Sequence, residues 1–133
     1  MKRMKYLLNF SLLLAVLLAL TSCNDDDAPG EPGIVRLRVS NHSPVKFDQV
    51  YVNTGGGEHD YGVLAPGSTS DYITFQYVYR YAYVKVVAGD KTYVIQPIDY
   101  VGETKYFVGS YTYILDIIEP ESMYGLSLEF RKN

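Results

Sequence analysis

The 133-residue chain has no tryptophan, one cysteine and only two histidines. A lone cysteine excludes an intramolecular disulfide and a thiolate-rich metal site, so that residue needs another role. Basic residues are scarce once their position is considered. Three of the 12, Lys2, Arg3 and Lys5, crowd the N-terminus; the remaining 9 face 15 acidic residues, a net charge of −6. That balance disfavours a nucleic-acid partner. Catalytic signatures are missing too. There is no Gly-x-Ser-x-Gly elbow, no spacing that singles out a Ser/His/Asp triad, and no thiol beyond the one cysteine. Gly55-Gly56-Gly57 lacks both a Walker lysine and a helix to open. No enzyme activity and no cofactor are expected.

What is present begins with a leader. Three positive charges in Met1 to Lys5 precede a nearly uninterrupted apolar stretch, Tyr6 to Leu20, broken by Asn9 and Ser11. About 15 residues of helix rise about 22 Å, short of the roughly 20 residues that a bilayer core requires, so a cleaved signal is favoured over a permanent span. Leu20-Thr21-Ser22-Cys23 follows, an apolar residue, two small residues and the only cysteine. This segment resembles the signal and lipobox of bacterial lipoproteins. The resemblance implies cleavage before Cys23, a thioether-linked diacylglycerol on its sulfur, and an acyl chain such as palmitate on its amine. Two or more chains, each buried methylene contributing about 0.8 kcal/mol, anchor a protein stably.

Asn24-Asp25-Asp26-Asp27 comes next. Asp25, Asp26 and Asp27 resemble the acidic signal with which some Gram-negative bacteria send lipoproteins to the cell surface; the alternative is a solvated linker, as such charge blocks commonly are. Ala28-Pro29-Gly30-Glu31-Pro32-Gly33 extends the tether with residues that disfavour helix and strand alike. The expected organisation is a signal peptide over 1–22, a lipidated tether over 23–33 and one folded domain over 34–133.

In that domain the apolar residues alternate with period two. Val35, Leu37 and Val39 alternate with Arg36 and Arg38; Leu126, Leu128 and Phe130 alternate with Ser127, Glu129 and Arg131. Runs near 47–53, 69–75, 78–88, 91–98 and 105–118 are rich in β-branched and aromatic residues. Turn chemistry separates them: Asn41-His42-Ser43-Pro44, three glycines at 55–57, Pro66-Gly67 for a type II turn, and Gly89-Asp90 for a tight hairpin. Pro97 cannot donate to a ladder, which places its strand at an edge or ends it there. The pattern predicts an antiparallel β-sandwich of seven or eight strands, immunoglobulin-like or transthyretin-like. Tyr51 to Gly57, Arg80 to Lys85 and Gln96 to Glu103 carry a further resemblance, to small uncharacterised Gram-negative surface lipoproteins, which implies no activity.

Tyrosine is the compositional outlier, at 14 residues. One strand over 77–85 would place Tyr77, Tyr79, Tyr81, Tyr83 and Lys85 on a single face. Exposed, that stripe is a platform for glycan rings or a protein partner; covered, it belongs to the core. Arg80 falls on the opposite face, at an edge or against a ring. Glu58-His59-Asp60, after the glycines, is a weak cation-binding candidate beside a plain polar hairpin loop, since extended residues alternate and at most Glu58 and Asp60 share a side. The expected function is therefore a lipid-anchored, non-enzymatic binding or structural module, an accessory subunit or adhesin-like. It sits on the outer membrane, facing outward or, alternatively, the periplasm. Glycan binding is the second reading and a small hydrolase centred on His59 the third.

Overall fold

The computed structural model describes residues 33–133. The signal segment 1–22, Cys23, Asp25, Asp26, Asp27 and the tether up to residue 32 lie outside the described residues. Eight strands form: β1 Val35–Asn41, β2 Gln49–Asn53, β3 Glu58–Asp60, β4 Ile73–Phe75, β5 Tyr83–Ala88, β6 Lys91–Ile95, β7 Gly109–Ile117 and β8 Leu126–Lys132. They make two four-stranded sheets, ordered β4-β1-β7-β8 and β3-β2-β5-β6. The domain is a β-sandwich.

Alternation builds the core. Val35, Leu37 and Val39 of β1 and Tyr113 and Leu115 of β7 are fully buried from the first sheet, as are Val50 and Val52 of β2 and Val84 and Val86 of β5 from the second. The intervening polar residues face outward on both sheets. On the outer face of the first sheet the Arg36 and Arg38 guanidiniums lie 5.5 and 4.6 Å from the Tyr72 ring centre, so their charges remain at the surface while their stems cover the strands.

The expected turns take shape where their residues allow them. Gly67 has φ +74°, and the Ser68 N–H donates to the Ala65 carbonyl at 3.0 Å, leaving Pro66 and Gly67 as the central pair. Gly89 supplies the positive φ of the two-residue β5–β6 hairpin, which pairs Ala88 with Lys91. β6 is an edge strand and ends at Ile95, before Pro97.

Two expectations are refined and two need correction. The sheets are not wholly antiparallel: β1 and β7 pair in parallel, Val35 with Gly109 through Asn41 with Leu115, which the long excursion through the other sheet permits. An immunoglobulin domain keeps its first two strands as neighbours in one sheet; here β1 and β2 lie in opposite sheets, so the order corresponds to the transthyretin-like build. Glu58–Asp60 is a short edge strand against β2, not a loop. Residues 77–85 do not form one strand. β5 starts at Tyr83, and Val78 and Tyr79 are consecutive buried residues, which a half-buried strand does not allow.

The segment before β5 departs from a strand because it crosses between the sheets at one end of the sandwich. Val78 exchanges backbone hydrogen bonds with Tyr106 (3.0 and 2.9 Å), and the buried Tyr113 hydroxyl donates to the Tyr79 carbonyl at 2.7 Å. The Gly55–Gly57 loop packs beneath. The Thr54 hydroxyl donates to the Tyr77 carbonyl at 2.9 Å, and the Gln76 N–H donates to the Gly56 carbonyl at 2.9 Å. A Cβ on Gly56 would lie 2.4 Å from the Tyr77 oxygen, so the approach requires glycine.

Candidate functional site

The tyrosines expected on one face are dispersed into two groups. Tyr83 faces out from the second sheet, edge-on to Tyr51 at 6.0 Å. Tyr77, Tyr79 and Tyr81 gather instead around Tyr100, a residue of the β6–β7 connection. The Tyr79 and Tyr100 rings stack at 4.1 Å and 8°, Tyr81 and Tyr100 at 5.5 Å and 20°, and Tyr77 meets Tyr79 edge-on at 5.6 Å. Tyr79 is buried; Tyr77, Tyr81 and Tyr83 are half-buried. The rings spend their faces largely on one another, so the planar platform over 77–83 does not form. Burial holds the Tyr100 hydroxyl above its ordinary pKa, and burial with the Glu103 carboxylate does the same for Tyr81.

Beside this stack opens a groove of about 450 Å³, lined by Arg80, Tyr81, Glu103, Leu128, Glu129 and Phe130. Its apolar wall is continuous with a second aromatic cluster. Phe130 stacks on Tyr111 at 4.8 Å and 14° and lies 5.1 Å from Tyr106. One rim is β8, which among the described residues pairs with β7 alone. Seven residues long, β8 is a longer edge than β3 or β4, and β6 is partly covered where the Val94 N–H donates to the Met123 carbonyl at 2.7 Å. The other rim carries Arg80, exposed and outside the three ion pairs among the described residues, Lys46–Asp48, Lys91–Glu121 and Arg131–Glu129. A concave apolar wall, one uncommitted cation and an unpaired strand edge can hold an extended ligand.

The Glu58-His59-Asp60 set is split by the strand it forms. Glu58 and Asp60 pair opposite Asn53 and Tyr51 on the outer face, while His59 pairs opposite Val52 and rests edge-on against Tyr61 at 4.8 Å. Both carboxylates are engaged. Glu58 accepts from the Tyr51 hydroxyl, which raises the pKa of that tyrosine; Asp60 accepts from Gln49 Nε2 at 2.7 Å and the Gly62 N–H at 2.8 Å, which lowers its own. Among the described residues no three His, Cys, Asp or Glu side chains come together as a metal site.

Sequence reasoning missed Tyr100, Glu103 and the β8 wall. Leu128 and Phe130 alternate as core residues do, and nothing local marks β8 as an edge where they remain half-exposed. Arg80 was the available signal, a charge among apolar residues.

No family model matches the chain, and no curated protein is significantly similar to it. A solved structure described as the NMR structure of the protein from Eubacterium rectale is similar over 76% of this chain and 89% of that one, at 13% identity and a TM-score of 0.49.

Proposed function

We propose that the chain is a lipoprotein held at the outer membrane through Cys23 and that its sandwich is a non-enzymatic binding module, with the groove at the β8 edge as the partner site. The groove carries this reading. It places an aromatic and aliphatic wall, the uncommitted Arg80 and the Leu128–Phe130 stretch of the β8 edge in one concavity. An extended protein segment suits it, with main-chain bonds to β8 and side chains in the groove. Among the described residues no helix is long and apolar enough to cross a membrane, so in this reading the lipid on Cys23 supplies the attachment.

A photo-crosslinking side chain at Glu129, compared with one at Thr92 on β6, tests the site in intact cells. The expected result is a discrete protein adduct from position 129 alone, lost when Arg80 is changed to Glu. An interface arginine of this kind contributes about 2 kcal/mol, roughly 30-fold in affinity. Equal or absent adducts at both positions would sink the groove. The glycan reading rests on the half-exposed Tyr81 ring flanked by Arg80, Glu103 and Glu129. It predicts no protein adduct and a glycan interaction that Tyr81→Ala abolishes.

The outward orientation is a separate expectation. Protease added to intact cells is expected to shave the wild-type domain and to spare a variant with Asp25, Asp26 and Asp27 changed to alanine. Sparing of both, with both still membrane-bound, places the domain on the periplasmic face.

A further inference from the structure

The β6–β7 connection, residues 96–108, crosses from one sheet to the other at the end of the sandwich where the tether arrives. Val35 pairs with Gly109, and the Gly109 N–H donates to the Ile34 carbonyl at 3.2 Å. Phe107 and Val108 thus adjoin the point at which the chain coming from Cys23 enters the fold. The same connection holds the two most exposed large apolar side chains among the described residues, Ile98 at 99% and Val101 at 88%, with Phe107 and Val108 about half exposed.

These side chains are held outward by an ordered scaffold. Tyr100, between Ile98 and Val101, stacks on Tyr79 and Tyr81. The Val101 N–H donates to Asp99 Oδ1 at 3.1 Å, and the Glu103 N–H donates to the Tyr100 carbonyl at 3.0 Å. Further along, Tyr106 is tied to Val78, and Phe107 packs edge-on to Tyr77 at 5.9 Å. Connections of this length without regular structure are uncommon in compact domains and usually functional. Ile98 and Val101 do not line the groove.

We propose that this end of the sandwich rests on the lipid surface that anchors Cys23, with Ile98 and Val101 inserted at the headgroup–acyl boundary. The inference depends on the lipoprotein reading. Cys23 to Ile34 reaches at most about 40 Å when fully extended, so this end stays within that distance of the bilayer. Tethering makes insertion an intramolecular step, which even a few apolar side chains can drive. Tyrosine rings favour the membrane–water interface, and Tyr77, Tyr81 and Tyr100 stand behind the tips. Lys105, its ammonium 4.5 Å from the Tyr77 ring centre, is a cation for lipid phosphate on the same connection. A second exposed apolar group, Ile118, Met123 and Tyr124, follows the far end of the nine-residue β7, about 30 Å away along the strand.

The absence of tryptophan provides the test. Ile98→Trp and Tyr124→Trp each introduce a single reporter at opposite ends of the sandwich. Each lipidated full chain, isolated from membranes in detergent, is reconstituted into phosphatidylethanolamine–phosphatidylglycerol vesicles with or without brominated acyl chains. Both proteins are expected to float with the vesicles. The Ile98→Trp emission is expected to shift to the blue and to lose most of its intensity to brominated lipid, while the Tyr124→Trp emission stays unquenched. Flotation with an unquenched, water-like Ile98→Trp emission overturns the lipid contact and leaves the anchor standing, as does quenching at position 124 equal to or above that at 98. Failure of both proteins to float overturns the anchor and the contact together.

Discussion

The Asn41→Leu protein is expected to unfold with a loss of about 3–5 kcal/mol relative to wild type, at an unchanged denaturant slope. Asn41 is the last residue of β1 and fully buried. Its Nδ2 donates to the Val45 and Leu64 carbonyls at 2.8 and 3.0 Å, and its Oδ1 accepts from the Ser43 N–H and hydroxyl at 2.9 and 2.8 Å. Its backbone is engaged as well, accepting from the Gly67 N–H and donating to the Ser68 carbonyl. The side-chain amide therefore fastens the 42–46 loop and Leu64 to the end of the sandwich, and the backbone of the same residue holds the Ala65–Ser68 turn. Leucine of similar size fills the space but deletes four hydrogen bonds, each contributing about 1 kcal/mol, and leaves the Ser43 N–H without an acceptor, while the Val45 and Leu64 carbonyls keep the Ser43 hydroxyl and the Phe47 N–H. Ser43→Ala removes one hydroxyl and is expected to cost about 1 kcal/mol. Urea titrations of the two variants, in a soluble form that begins after Cys23, make the comparison; a loss under 1 kcal/mol for Asn41→Leu would show that water satisfies the site.

Asn41 also illustrates what a sequence conceals. Asn-His-Ser-Pro reads as a break in the chain, and the break is there, yet the residue that makes it is buried as deeply as the core valines. Local signals were legible wherever one residue type answers one physical demand. β1 and β8 alternate because one face is dry and the other wet, and Pro66-Gly67 and Gly89-Asp90 meet dihedral demands that few other pairs meet. β3 was hidden because Glu-His-Asp has the composition of a solvated loop; its strand character comes from hairpin pairing with β2. The parallel β1–β7 pair joins residues 74 positions apart, as in Val35 with Gly109, and no local pattern encodes such a partner.

The tyrosines show the same division between composition and place. Their abundance announces a special region, and period two assigns them a common face only if the backbone stays extended. It does not, since the chain between β4 and β5 must pass from one sheet to the other and buries Val78 and Tyr79 in succession. What assembles is a packed stack around Tyr100, contributed by a connection 19 residues on from Tyr81. The groove follows from that stack and from the edge position of β8. Neither feature is written in the residues that line it.

At alkaline pH the tyrosines are expected to dominate the stability of the fold. Burial raises the pKa of Tyr61 and of Tyr113 far above that of an exposed phenol, and each hydroxyl donates to a carbonyl, Tyr61 to Leu37 at 2.8 Å and Tyr113 to Tyr79 at 2.7 Å. A phenolate in either place would face a carbonyl oxygen without a proton between them. The unfolded chain releases these protons near pH 10 and the folded chain retains them, so the folded state binds more protons above that pH and stability falls as pH rises. Below about pH 10 the contribution is fully present. Above it, each tyrosine removes about 1.4 kcal/mol per pH unit, and the two together remove about 5 kcal/mol by pH 12, the scale of an entire domain's stability. Tyr100 and Tyr111, raised by lesser burial, add to the trend. Cooperative unfolding with simultaneous appearance of the buried phenolates is expected between pH 11 and pH 12, at about that range. The Tyr61→Phe, Tyr113→Phe double variant is expected to be less stable at neutral pH, having lost two hydrogen bonds to carbonyls, and to lose stability less steeply above pH 10. Titration of all the tyrosines in one step near pH 10, with the circular dichroism of the sandwich intact, would contradict the placement of these two rings in the core.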